Sequence, residues 1–340
     1  MTERKPRMTA RGRVTMQDVA AAAQTSMISV SRTFRGAASV SAALRERIEA
    51  VAAELGYVPD RAASALASAK SMNVAVLVPS LTNMVFSETL AGIDEVLTAQ
   101  GYQMIMATTF YTATEELRLL RGLMAFRPDG VLLTGTDHLP ETKKLLHTTA
   151  CPHVHMMELT KDPSAYCVGF SQEEAGAAIA HHFIERGYQK VGFIATQLDP
   201  RTLARGAGFQ AAFLQAGRAA PFTIMVPRPS SIALGGVLLD QMLREHPDTD
   251  AIFFCNDDLA LGGLFECLKR GIKVPQQLAL AGFNDLPASA CATPPLTSVT
   301  TPRHEIGKRA ASLLLELMAG RKPKTSQLDL GFTLNVRGTS

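Results

Sequence analysis

The chain has 340 residues, 46% of them hydrophobic and 19% charged, with a formal net charge of +3. Such a composition supplies two or more globular cores. No apolar run approaches the ~18 residues of a membrane span, and the basic, polar opening MTERKPRMTARGRVTMQD lacks the apolar centre of a secretory signal. Five cysteines (Cys151, Cys167, Cys255, Cys267, Cys291) form no C-x-x-C pair and read as thiols of a reducing cytoplasm. The eight histidines, His153 and His155 among them, give no zinc spacing, so neither metal nor cofactor is expected.

Charge is unevenly spread. Residues 1–70 hold eleven Lys/Arg against six Asp/Glu, a net of +5, which leaves −2 for the other 270. A small basic head on a near-neutral body suggests a polyanion partner for the head, the plainer reading being a solvated surface.

The head has helical periodicity. Thr15 is placed to cap a helix from Met16 to Ala23, with Met16, Val19, Ala20 and Ala23 on one stripe. After the turn Gln24-Thr25, Ser26 is placed to cap a second helix from Met27 to about Phe34, facing Val30 and Phe34 inward and stopping at Gly36. Ser41 is placed to cap a third, Ala42 to Leu55, with Leu44, Ile48, Val51 and Leu55 as its core stripe and Gly56 and Pro59 beyond it. Two short helices joined by a tight turn make a helix-turn-helix. Met27, Ile28 and Ser29 then project from the N-terminal end of the second helix, where a recognition helix meets base edges. Ser26, Ser29, Ser31 and Arg32 suit phosphates and bases, and Met27 and Ile28 suit thymine methyl groups; packing on another domain is the plainer reading for those two.

The stretch VTMQDVAAAAQTSMISVSRTFRG, followed by VSAALRERIEAVAAELGYVPDRAASALAS, resembles the head of the lactose-repressor (LacI/GalR) family of bacterial transcription regulators. That family's pattern runs D-V-A, V-S-x-x-T-V-S-R, V-S-x-x-x-R-x-x-I, E-L-G-Y-x-P-N. Here Gln24 stands where Gly is usual, and Thr25, Ser29 and Asp60 replace Val, Thr and Asn. The resemblance implies a helix-turn-helix domain over residues 1–58 and a hinge over 59–72 that becomes helical only on DNA. It also implies that Leu66 wedges into the minor groove, and it adds Thr15, Arg61 and Ala63 to the DNA-contacting set. Alone, an alanine-rich segment as short as DRAASALASAKS is marginal as a helix.

From Asn73 onward, apolar strands alternate with amphipathic helices. VAVLVPS is followed by TNMVFSETLAGIDEVLTAQG, YQMIMATT by a helix from about Thr114, and GVLLTG by another. HVHMMEL and VGF lead to EEAGAAIAHHFIERG; KVGFIAT, TIMVP and AIFFCN lead to DDLALGGLFECLKRG and then LALAGF. Such alternation implies parallel sheets covered on both faces, here α/β with two lobes. GYQKVGFIAT, RGAGFQAAF, AIFFCNDDLALGG, LALAGFNDLPAS, PPLTSVTTP and FTLNVRG look like landmarks of the same family's effector core, which it shares with periplasmic sugar-binding proteins. The resemblance implies a core over 73–340. Lobe 1 takes about 73–169 and 301–331 and lobe 2 about 170–300 and 332–340, with crossings near Phe170, Thr300 and Gly331.

Ligands in such folds sit at strand carboxyl ends, here between lobes. The candidates are Ser80, Asn83 and Phe86 after the first strand, Thr134 and Thr136 after the third, and Phe170 at the first crossing. The second lobe offers Arg201, Arg205, Asn256, Asp257 and Asn284. Helix capping is the plainer reading for Asn83 and Asp257, and core packing for Phe86 and Phe170. Arg205 matches the family's effector-holding arginine; a guanidinium grips a carboxylate or vicinal hydroxyls through parallel hydrogen bonds. Arg201 adds a second cation one helical turn earlier. Asn284 stands where many members carry Asp, which would repel an anion. A sugar acid follows, and VLVPSLTNMVFSE, DPRT, NDDLA, FEC and DLGFTL resemble the gluconate-utilisation repressors of the family. Gluconate or a ketogluconate is the expected effector of a homodimer on a near-palindromic operator, released when the effector binds. The alternatives are a neutral sugar or a corepressor.

Two other classes have weaker support in the sequence. RGAGFQAA mimics a dinucleotide loop, but DPRTLAR separates it from its strand and residues 200–239 contain no Asp or Glu, so no nucleotide enzyme is expected. A sugar-transport protein fits the body and not the head.

Overall fold

The structure, a computed structural model, describes residues 14–34, 36, 39–58 and 70–340. The chain divides into two compact units, Met1–Ser71 and Met72–Ser340.

Helices α1 (Met16–Ala22), α2 (Met27–Phe34) and α3 (Ala42–Leu55) belong to the first unit. A capping box starts α1: the Thr15 hydroxyl accepts from the Asp18 N–H, and the Asp18 carboxylate accepts from the Thr15 N–H at 2.8 Å. The helix ends at Ala22, one residue before the expected stop, and Gln24 takes a left-handed φ of 48° in the turn. Ser26 Oγ accepts from the Ser29 N–H at 3.1 Å and so starts α2. Ser41 occupies the N-cap of α3, but its hydroxyl makes no capping bond, contrary to expectation; Gly56 closes α3 with φ of 67°. Val19, Ala20, Ala23, Val30, Ile48 and Ala52 form the core, with Phe34 and Leu44 packed at its edge. Arg61, Ala63 and Leu66, and with them the expected hinge helix, lie outside the described residues.

The second unit contains two six-stranded sheets. The first takes β1 (Asn73–Val78), β2 (Gln103–Thr108), β3 (Gly130–Thr134), β4 (His153–Met156), β5 (Cys167–Gly169) and β11 (Gln327–Asp329), in the order β11-β5-β4-β3-β1-β2, all parallel. The second takes β6 (Val191–Thr196), β7 (Phe222–Val226), β8 (Ala251–Phe254), β9 (Ala279–Asn284), β10 (Thr297–Thr300) and β12 (Thr333–Asn335). Its order is β12-β10-β9-β8-β6-β7, and β12 alone runs antiparallel. β1, β3, β6, β8 and β9 are apolar almost throughout because helices cover both faces.

Helices α4 (Met84–Ala99), α5 (Ala113–Met124) and α6 (Pro140–Thr149) connect strands of the first sheet. Helices α7 (Gln172–Glu185), α8 (Pro200–Gln215), α9 (Ile232–Glu245), α10 (Asp257–Arg270) and the short α11 (Pro287–Cys291) serve the second. Helix α12 (Arg303–Met318) follows β10 but packs on α4 and the first sheet. The chain therefore leaves the first sheet after Gly169, returns after Thr300, and crosses again between Asp329 and Thr333. Helices α9, α11 and α12 lie outside the pattern read from the sequence.

Candidate functional site

Strand order places the site. In the first sheet the order reverses at β1, between β2 and β3; in the second it reverses at β6, between β7 and β8. Crevices open at the carboxyl ends of such strands. A cavity of about 200 Å³ lies there, bordered by the loops after β1 and β5 on one side and those after β6, β8 and β9 on the other.

The β1 side supplies Ser80, Asn83 and Phe86. Asn83 both caps and lines: its carbonyl oxygen accepts from the Val85 N–H at 3.0 Å, and its amide donates to the Tyr111 hydroxyl at 3.2 Å. Ser80 Oγ accepts from the Thr82 and Asn83 N–H groups, at 3.2 Å each. Phe86 and Phe170 are buried aromatic walls, Phe86 edge-on to Tyr111 and Phe170 stacked near Phe283.

Arg205 sits on α8, under the cavity. Its Nε donates to the Gln172 side chain at 2.7 Å, one Nη donates to the Cys255 carbonyl at 2.7 Å, and the guanidinium lies 4.0 Å from the Phe283 ring centroid. The other N–H groups of this five-donor side chain meet no acceptor among the described residues. Burial holds its pKa below the usual arginine range. No carboxylate is paired with it, so it remains a buried cation facing the cavity.

Arg201 is differently placed. It is buried, and its Nε lies 3.2 Å from the Asp199 carboxylate, the N-cap of the same helix. Burial pulls its pKa down, but Asp199, Glu158, Tyr111 and Asp137 together outweigh burial and the net shift is upward. Arg201 lines the cavity but has its counter-charge inside the protein.

Asn284 ends β9 with φ of 104°, a strained value for a non-glycine residue. Its side chain lines the cavity and makes no hydrogen bond among the described residues, while its carbonyl accepts from an Nη of Arg303. Asn256 caps α10, accepting from the Leu259 N–H at 3.1 Å, and its amide donates to Ser230 Oγ at 2.6 Å.

Three expected residues are not in this lining. Thr134 donates to the Leu77 carbonyl and borders a separate cavity of about 40 Å³ beside His138 and Glu116. Thr136 donates from both N–H and hydroxyl to the buried Glu158 carboxylate, whose pKa burial raises. Asp257 points into the second lobe, accepting from the Ser298 hydroxyl and the Leu286 N–H at 2.6 Å each. Its neighbour Asp258 lines the cavity instead. Tyr111, Gln172, Gln197 and Asp199 also line it and were not anticipated. Asp199 was legible in principle, since Asp before Pro is a helix-start signal. Gln172 carried no such signal.

The glycines of RGAGF have a packing role. A Cβ on Gly208 would lie 2.0 Å from the Glu173 carbonyl, so α7 and α8 meet backbone to backbone there. That contact sets Gln172 of α7 against Arg205 of α8.

In the first unit, Met27 is 50% and Ile28 62% exposed although both are apolar. Ser26 and Arg32 are exposed beside them, with Ser29 and Ser31 half-buried. Val30 and Thr33 face the core, and Arg45 ties α3 to α2 through the Thr33 carbonyl at 3.1 Å. The Thr15 hydroxyl donates to Asp18 at 2.7 Å.

Residues 15–60 match the family described as bacterial regulatory proteins, lacI family, and residues 180–340 match the periplasmic binding protein-like domain. The HTH-type transcriptional regulator GntR of Pseudomonas aeruginosa is 48% identical over 327 residues, covering 96% of this chain and 95% of its own. The crystal structure of transcription regulator GntR from Chromobacterium violaceum is 49% identical with a TM-score of 0.77, over 79% of this chain and 99% of that one. The lac repressor dimer bound to operator and the anti-inducer ONPF is 26% identical with a TM-score of 0.86, over 96% of this chain and 99% of that one.

Proposed function

The chain belongs to the lacI family of bacterial regulatory proteins and is a DNA-binding transcription repressor rather than an enzyme; on that premise we propose that a sugar acid, gluconate or a ketogluconate, binds in the interlobe cleft and releases the protein from its operator. The observation that carries the effector class is Arg205, a buried guanidinium that lines the cavity, has no acidic partner among the described residues and keeps donors unused. A carboxylate satisfies such donors with two parallel bonds. Asn284 on the same cavity adds amide donors and no negative charge.

At the other site, the exposed Met27 and Ile28 with Ser26, Ser29, Ser31 and Arg32 form the base- and phosphate-reading face of α2. By family resemblance Thr15, Arg61, Ala63 and Leu66 join that set. A homodimer presents two such faces to a near-palindromic operator. Effector and operator then weaken one another by the same factor.

The test is calorimetric titration of the purified protein with gluconate, 2-ketogluconate, glucose and ribose, beside an Arg205→Ala variant. Binding of one sugar acid, weakened at least about a hundredfold in the variant as expected for losing a bidentate charged contact, supports the reading. Preferred binding of glucose or ribose replaces the sugar acid by a neutral sugar and leaves the repressor assignment in place.

A further inference from the structure

The charges around the cleft do not all pair. Arg201 is matched by Asp199. Arg205 is bonded to neutral groups only. Asp258, on the first turn of α10, is a cavity-lining carboxylate with no hydrogen bond or ion pair among the described residues. Its neighbours are otherwise engaged: Asn256 caps α10 and holds Ser230, and Asp257 is turned into the lobe. Burial alone acts on the Asp258 carboxyl, raising its pKa, and no cation offsets it. Among the described residues, the cleft therefore offers a ligand one unpaired cation and one unpaired carboxylate.

We propose that Asp258 is a specificity-determining residue of this cleft: it accepts hydrogen bonds from the hydroxyl chain of a monoanionic polyhydroxy acid held at Arg205, and it rejects chains that bear a second negative charge. The inference rests on the sugar-acid reading above and narrows it. A carboxylate acceptor rewards hydroxyl donors with charge-assisted bonds. A second carboxylate or a phosphate brought to the same place meets an unpaired like charge where water screens poorly. A site built to bond a hydroxyl also discriminates strongly against ligands that cannot donate one. Sugar acids phosphorylated at the far end and dicarboxylic sugar acids are thus excluded by the same residue that orients the monoanion.

The experiment is calorimetry on the full-length protein with three probes: gluconate, glucarate and gluconate 6-phosphate. The native protein is compared with Asp258→Asn and Asp258→Ser, each checked for a native melting transition. The native protein should prefer gluconate to both dianions by about tenfold or more, and each variant should lose about tenfold for gluconate while its preference falls toward one. Two results overturn the proposal: dianions binding the native protein as tightly as gluconate, or a preference that both variants retain. If the native protein binds gluconate but keeps its preference without Asp258, this inference fails and the sugar-acid reading stands. If it binds no sugar acid, both fall together.

Discussion

Asp257 and Asp258 are neighbours with opposite circumstances. Successive residues on a helix point about 100° apart, so one carboxylate of the N-D-D run faces the cavity and the other the lobe interior. The run shows that an acid belongs at this helix start, but its rotation is set by β9 and β10, which bring Leu286 and Ser298 to Asp257. Thr134 and Thr136 escaped the cleft for a similar reason: their partners, Leu77 and Glu158, are distant in sequence. By contrast, strand-end logic together with the family resemblance gathered Ser80, Asn83, Phe86, Phe170, Arg201, Arg205, Asn256 and Asn284, which all line the cavity. A pH dependence follows from the buried member of the pair. Burial pushes the Asp257 carboxyl up to about 7, whereas an unfolded Asp titrates near 3.9. Between those values the folded protein holds a proton that the unfolded chain has released. Stability from this group therefore declines as pH rises from about 4 to about 7 and is level above. The decline is at most about 4 kcal/mol. Melting temperatures taken from pH 5 to 7.5 should fall less for Asp257→Asn than for the native protein; parallel profiles would show that Asp257 ionises without cost.

At the scale of elements, local patterns were legible and tertiary ones were not. The head's three helices have their stripes, caps and stops within a few residues, so α2 was placed at Met27–Phe34 from sequence alone. The inner strands β1, β3, β6, β8 and β9 announced themselves because burial on both faces makes them apolar almost throughout. Helix α9 was not read between TIMVP and AIFFCN, although a glycine pair of the same kind, Gly262-Gly263, did not hide α10. In the fold a Cβ on Gly235 would lie 2.1 Å from the Leu259 carbonyl, so the glycine admits α10 rather than ending α9. The same kind of contact at Gly208 supports a stability test. Gly208→Ala forces α7 and α8 apart, an overpacking cost of ~1–3 kcal/mol, and it displaces Gln172 from Arg205. Thermal denaturation should register the loss and calorimetry a weaker effector; an unchanged melting curve would mean that the helices separate freely. In the head, Val30 is fully buried and joins α2 to Ile48 of α3. Val30→Ala removes ~1–3 kcal/mol from a small core. Operator binding in a gel-shift assay should weaken while the effector titration is unchanged, because the second unit has its own core. Equal loss of both functions would contradict that division.

At the scale of the whole second unit, side chains join the lobes at the cleft: Gln172 donates to the Met157 carbonyl at 3.0 Å, and Arg303 reaches across as well. Arg303 opens α12, which packs on the first sheet. Its Nε and one Nη donate to the Glu88 carboxylate of α4 at 3.0 and 2.9 Å, a two-pronged fork within the first lobe. Its other Nη donates to the carbonyl of Asn284, at the end of β9 in the second lobe. Asn284 is also the strained residue that lines the cavity. A ligand that draws on Asn284 thus pulls on a residue whose backbone is held from the opposite lobe, and a change in lobe angle must stretch or reseat the fork. Arg303 is therefore expected to act in coupling, and the prediction is that its loss changes the coupling more than the binding. Lysine keeps the charge but has no planar fork, so Arg303→Lys should hold either Glu88 or Asn284 and not both. The observable is the ratio of operator affinities without and with a saturating sugar acid, which a typical allosteric coupling puts at roughly 5- to 150-fold. In Arg303→Lys that ratio should fall toward one, while the effector affinity of the free protein changes by less. Linkage adds an internal check: titrating effector onto the operator-bound protein must give the same reduced factor. A ratio identical to that of the native protein would mean that lobe motion bypasses this clamp and is carried by the other links between the lobes, the crossing strands and the Gln172–Met157 bond.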